Sequence, residues 1–269
     1  MNFRKEMRLS AVISELTANL AEFGGKQMAA CLFGLAMMAG MAFTTGWGLE
    51  SISRMDFLFV YAVGMQLLLI ALRLEHGREL VVILAFHVLA TVMEWFKTSP
   101  EIGSWQYPAE GAIFRVYQVP LFAGFLYSAV GSYLARCWRL FELEFHRYPP
   151  VWMTVLLASA ASLNFFSHHF IWDFRYVLIG ASLVLFGRTT MSFVLRSRRR
   201  RVPLLPSLLA VSCLIWLAEN IGTYARAWTY PNQETAWDWV SWQKIPAWYL
   251  LLMLSFVLVS LVQQKTLKR

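Results

Sequence analysis

The chain has 269 residues, of which 58% are hydrophobic and only 15% charged, with a mean hydropathy of +0.50. A soluble domain carries roughly 25% charged residues, so a water-soluble enzyme is excluded first. The net charge of +8 points to nucleic acid only until its distribution is read; the basic residues lie at the ends of apolar stretches, where they mark orientation in a bilayer.

Residues 1–26 open with Arg4, Lys5 and Arg8, followed by Glu15 and Glu22 rather than by an apolar core and a cleavage site. Leu9, Ile13, Leu16, Leu20 and Phe23 recur at helical spacing. This predicts an amphipathic helix lying on the inner membrane surface rather than a signal peptide. Eight apolar stretches follow, at 27–46, 56–72, 79–96, 117–135, 151–167, 176–194, 203–221 and 245–263. Each approaches the ~20 residues that carry a helix across ~30 Å of hydrocarbon. They predict an all-α, polytopic transmembrane helical bundle of about eight spans, because lipid leaves an open backbone unsatisfied.

With eight spans both termini share a side. That side holds the N-terminal cluster with Lys26, then Arg73 and Arg78, then Arg136, Arg139 and Arg147, then Arg196 with the Arg198–Arg201 run, and finally Lys265, Lys268 and Arg269. The other side holds Arg54, Lys97, Arg115, Arg175, Arg226 and Lys244. The positive-inside rule puts both termini in the cytoplasm, and the arginine run reads as an anchor beside anionic lipid, not a nucleic-acid site. Cys31, Cys137 and Cys213 fall in or at the ends of different spans with no Cys-x-x-Cys pair, which predicts free thiols.

A signature occurs twice. Glu94, Trp105-Gln106-Tyr107-Pro108 and Pro120 are matched by Glu219, Trp228-Thr229-Tyr230-Pro231 and Pro246. Trp47 likewise matches Trp172, and Arg73 with Arg78 matches Arg196 with Arg201. A shared register over half a chain predicts an internal duplication: a four-helix repeat at 27–136, a cytoplasmic linker at 137–150 containing Tyr148-Pro149-Pro150, a second repeat at 151–263 and a tail at 264–269. An even number of spans per half makes the repeats parallel, related by an axis along the membrane normal. Both signatures then meet on the outer face.

Acids at span ends are costly unless used or paired. Glu94 and Glu219 are therefore the expected catalytic pair, assisted by His168 and Asp173, which only the second half carries. Trp105, Tyr107, Trp228, Tyr230, Lys97, Glu101, Asn220 and Arg226 are expected to bind substrate, with Lys97, Glu101 and Arg226 also placed to pair with the motif acids. His168 and His169 lack the spacing of a metal motif, so no metal is expected, and no motif points to a cofactor. His87 and Gln66 read as interhelical hydrogen-bond partners.

The run Glu94–Pro108, with Ala218-Glu219-Asn220-Ile221-Gly222-Thr223, Val130–Arg136 and Asn164–His169, resembles the YoaT-like family of uncharacterised bacterial integral membrane proteins, over nearly the whole chain. That resemblance implies a polytopic inner-membrane protein and no assigned activity. A fainter similarity runs to membrane lycopene cyclase domains, which also duplicate helical units bearing an acid, Trp-x-Tyr and a proline. There the proline leads into two glutamates, whereas here Leu121-Phe122 and Ala247-Trp248 follow. The expected function is a membrane-embedded enzyme or binder of a lipid or isoprenoid-like substrate; the alternative is a transporter or carrier.

Overall fold

The computed structural model describes residues 2–46 and 52–268. Trp47 and Arg269 lie outside the described residues, as do the side chains of Arg4, Lys5, Arg8, Leu9 and Arg78. The chain is mostly helical, in the order α1 (Asn2–Ala30), α2 (Leu32–Phe43), α3 (Arg54–Ala71), α4 (Gly77–Lys97), β1 (Arg115–Val116), β2 (Val119–Pro120), α5 (Phe122–Leu140), β3 (Glu144–His146), α6 (Val151–Ser167), α7 (Arg175–Phe186), β4 (Thr190–Leu195), β5 (Arg198–Pro203), α8 (Leu204–Tyr224) and α9 (Ile245–Val262). Each apolar stretch read from the sequence contains helix, the first of them divided between α1 and α2. Among the described residues three helices, at residues 54–71, 204–224 and 242–262, are long and apolar enough to cross a membrane. Residues 13–30 and 32–43, bent by 67° at Cys31, make a fourth if taken as one broken span.

Several boundaries differ from expectation. The surface helix does not stop at residue 26 but runs to Ala30 before the bend. The fourth stretch becomes helical only at Phe122, because β1 and β2 form a small hairpin ahead of it. The sixth ends at Phe186, and its last part is strand β4. The 12 residues of α7 rise about 18 Å, short of a ~30 Å hydrocarbon core. Beyond Gly187, Met191, Phe193 and Leu195 alternate with Ser192 and Val194, a period of two that suits a strand.

β4 and β5 form a hairpin whose two turn residues, Arg196 and Ser197, have φ of 49° and 60°. This is the twist-matching geometry of a two-residue hairpin turn. The arginine run is thus a strand rather than a loop. β3 joins β4, so the expected linker is a sheet edge, and the tail is also held: Leu267 bridges to Phe145, and Lys268 meets Glu144 at 2.5 Å. Helix α1 is fastened to the hairpin. Glu22 accepts from Arg196 N (3.0 Å), Arg198 pairs with Glu15 (3.0 Å), and Lys26 donates to Val194 O (3.0 Å).

The opposite end of the bundle carries the two motifs. Gly124 and Gly131 of α5 bring α4 close: a Cβ on Gly124 would stand 2.6 Å from His87 Nδ1, and one on Gly131 2.9 Å from the Phe86 ring. Small residues permit such approach where apolar packing is the only attraction. The core falls into two clusters. One, around Phe33, Met37, Met55 and Leu58, extends to Trp105 and Trp228. The other, around Trp138, Phe145, Phe186 and Phe256, lies toward the sheet. Large apolar side chains also face outward, among them Val184 (88% exposed), as expected of a bundle surrounded by lipid.

The loop after α4 is pinned by Asp56, whose buried carboxylate accepts from Ile113 N (2.9 and 3.0 Å) and Phe114 N (2.8 Å). Asp56→Ala strands both amides, and each unsatisfied buried donor costs about 1–3 kcal/mol. The variant is expected to lose about 2–4 kcal/mol in a detergent unfolding titration; loss of under about 0.5 kcal/mol, the size of a neutral surface change, would show that the loop is held otherwise.

Candidate functional site

Glu94 sits in the last turn of α4 and is 1% exposed. Its helix ends as Thr98 donates back to Glu94 O (2.8 Å), and the chain then turns at Gly103 (φ 55°). Trp105-Gln106-Tyr107 returns extended across the helix end. Alternate residues of an extended segment share a face, so Trp105 and Tyr107 both reach the same carboxylate. Trp105 Nε1 (2.7 Å) and Tyr107 OH (2.9 Å) donate to Glu94 Oε2, and Tyr127 OH of α5 (2.6 Å) donates to Oε1.

Glu219, near the end of α8, is 4% exposed. Tyr230 OH donates to its Oε1, and Trp248 Nε1 of α9 (2.7 Å) donates to Oε2. Each acid is therefore satisfied by its own returning loop and by the helix that follows. Burial, then the adjacent carboxylate, push the Tyr107 and Tyr230 phenols well above their ordinary range, keeping them protonated as donors. The two loops pair with each other at the middle of the signatures: Gln106 N donates to Thr229 O, and Thr229 N to Gln106 O, both at 2.9 Å. The Trp105 and Tyr230 rings meet edge to face at 6.1 Å. Lys244 stands against them, its ammonium 4.0 Å from the Tyr230 centroid and 5.5 Å from that of Trp105.

Glu94, Glu219 and Lys244 line one cavity of about 790 Å³. It runs between α1, α2, α5, α8 and α9 to Phe141, Phe145 and Phe193 near the sheet, and its wall is overwhelmingly apolar.

The comparisons agree with this architecture in extent. The family model described as "Protein of unknown function (DUF817)" matches residues 19–256. The chain belongs to the DUF817 family. It is 38% identical over 245 residues to the "Uncharacterized protein YoaT" of Bacillus subtilis (strain 168), covering 91% of this chain and 92% of that protein. No solved structure matches.

Within this DUF817 chain the expected site residues separate into groups. Trp228 packs over Gly222, where a Cβ would stand 2.2 Å from the indole, and is not an acid partner. Asn220 is structural in its contacts, accepting from Val240 N (2.9 Å) and donating to Trp216 O (2.8 Å). Arg226 does not pair with a motif acid: its guanidinium donates to Gln233 O (2.7 Å), and its carbonyl accepts from Arg54 (2.9 Å). Glu101 is exposed. Asp173 pairs with Arg175 (2.9 Å) and accepts from Asn164 Nδ2 (3.0 Å) and Arg175 N (2.9 Å), which ties the α6–α7 turn together away from the Glu pair.

Lys97 also turns from the acids. Its nitrogen lies 2.8 Å from His169 Nε2, 3.4 Å from His168 Nε2 and 4.0 Å from the Phe165 centroid. Among the described residues no three His, Cys, Asp or Glu side chains form a metal-sized group. Sequence reasoning missed Lys244, Tyr127 and Trp248. Lys244 and Trp248 flank the second motif proline, Pro246, at two residues on either side, a signal that was available.

Burial, then the charge of Lys97, lower His169 to about 4. The unfolded imidazole takes its proton near ~6.5, so between these values the unfolded state binds more protons and stability falls as pH drops. His169→Gln is expected to flatten the difference in thermal midpoint between pH 6.5 and 4. Parallel pH profiles for the wild type and the variant would show that His169 is already solvated as an ordinary surface histidine.

Proposed function

We propose that this protein spans the bacterial cytoplasmic membrane eight times as two parallel four-helix repeats, with both termini inside, and that its outer-side acidic and aromatic site acts on a lipid or isoprenoid-like molecule. Three features support the duplication. α2–α5 and α6–α9 follow the same order, and each third helix ends in a motif glutamate. Each glutamate accepts from its returning loop and its next helix. Gln106 and Thr229, equivalent by sequence, bond reciprocally, which is what a twofold axis between them requires. The short α7 then crosses only as part of a thinned or tilted wall.

The observation that carries the functional reading is the 790 Å³ cavity shared by both carboxylates. Its apolar length suits a hydrocarbon chain, and its motif end offers two acids, an ammonium and the rings of Trp105, Tyr107, Tyr127, Trp228, Tyr230 and Trp248 to the group at the end of that chain. In the enzymatic form of the reading, Glu94 and Glu219 exchange a proton with that group as acid and base, and the ring faces stabilise positive charge. A carrier is the second reading, favoured because the same cavity reaches the sheet end.

Purification in mild detergent followed by lipid extraction and mass spectrometry is expected to recover a stoichiometric chain-bearing molecule. Glu94→Gln and Glu219→Gln are each expected to abolish its conversion with expression preserved. Lowered thermal stability with unchanged turnover per folded molecule would make the pair structural. Retained binding without conversion, together with transfer between vesicle leaflets, would select the carrier. Ser104→Cys and Thr235→Cys are expected to react with an impermeant thiol reagent on intact cells; reaction only after lysis would invert the topology.

A further inference from the structure

A second cavity, of about 280 Å³, lies on the other side of the wall formed by Trp105, Tyr127 and Trp248. Its depth is apolar, with Phe86, Ala90 and Met93 from α4 facing Leu250 and Leu254 from α9. Its mouth at the motif end carries Lys97, His168, Arg175 and Lys244, and no carboxylate lines it. Glu94, although three residues from Lys97, lines only the larger cavity and is held there by three donors. Asp173 stays on Arg175 and Asn164.

Lys97 is 2% exposed. Among the described residues no carboxylate comes within 4.0 Å of its nitrogen. Its polar neighbours are imidazoles. His168 Nδ1 lies 3.0 Å from Asn164 O, so that nitrogen carries the proton and Nε2 is left as an acceptor toward Lys97. Neutral acceptors and one phenyl face hold the amine in place, and burial lowers its pKa to about 7. An anion seated beside it restores the charge that burial opposes. The motif does not demand this lysine: the residue three after Glu219 is Gly222, and Trp228 occupies the space above it. One arm is filled with indole, and the other keeps a buried lysine beside an open cavity.

We propose that this second cavity binds a phosphate group, seated among Lys97, Lys244 and Arg175, with the hydrocarbon chain of a lipid phosphate occupying the apolar depth. Three cations of different reach suit a polyatomic oxyanion better than a single carboxylate. The site shares Lys244 and the wall of Trp105, Tyr127 and Trp248 with the carboxylate-lined cavity, whereas Lys97 and Arg175 line the smaller cavity alone.

The test uses the full chain in detergent. Dioleoyl phosphatidic acid, dioleoylglycerol and inorganic phosphate are each titrated against the thermal midpoint and by native mass spectrometry. Phosphatidic acid is expected to stabilise the wild type and to bind about tenfold or more tighter than dioleoylglycerol, the scale of one charge-assisted contact. Lys97→Met is expected to remove that preference, and Lys97→Arg to keep it. Stabilisation by inorganic phosphate alone, lost in Lys97→Met, would support the same site with a soluble source of phosphate. Equal stabilisation by phosphatidic acid and dioleoylglycerol, with none by inorganic phosphate, overturns the proposal on wild-type protein alone. So does a folded Lys97→Met variant that retains the preference.

Discussion

Burying two carboxylates at one end of an apolar bundle sets a requirement that shapes everything around them. A charged oxygen taken from water must be given donors, and a hydrogen bond to a charged group returns about 1.5–3 kcal/mol each. The chain supplies them from two places per acid. A loop folds back over the helix end, and Trp-x-Tyr spacing aims indole and phenol at one point because alternate residues of an extended segment share a face. The next helix adds Tyr127 or Trp248. The Gln106–Thr229 pairing locks the loops to one another, so the position of each acid depends on both halves. Donors that carry no charge also leave Lys244 available to the cavity instead of being consumed in an ion pair.

The two arms use this common frame differently. Trp105 donates to Glu94, whereas its counterpart Trp228 lies on Gly222 and leaves the donating to Tyr230 and Trp248. Where Gly222 makes room for an indole, Lys97 stands with His168 and His169. Packing alone gives no reason to bury a lysine on one side. The asymmetry falls where the smaller cavity opens, which is the ground for proposing that the two cavities take different ligands.

Hydropathy made most of the helices legible, although it missed the bend at Cys31 and the strand that follows α7, and the doubled signature marked the end of the bundle where polar groups converge. What escaped was governed by partners distant in sequence. Glu94 and Glu219 called for counter-ions, and Lys97 and Arg226 were the basic residues nearest by; the structure uses aromatic donors, because a phenol or indole satisfies an acid without bringing a second charge into low dielectric. The strands at 190–203 hide behind four arginines, whose side chains say nothing of backbone direction. Arg196 and Ser197, not Gly or Asn, occupy the positive-φ turn. That turn is stabilised from α1, through Glu22, which no local pattern reports.

The size of the larger cavity bears on what fills it. It is a half-open cleft rather than a sealed void, so its apolar wall is in reach of whatever surrounds the bundle. Water is a poor occupant of an apolar wall, and hydrocarbon fits without penalty. In lipid, moreover, no hydrophobic gain drives helices to close such a gap. In the proposed reading a hydrocarbon chain in this cleft is part of the packing, and the acids, Lys244 and the rings at its end select the molecule. Specificity would then sit at the motif end and affinity in the length of the cavity, so that substitutions at Glu94 or Glu219 act on recognition without emptying the space below.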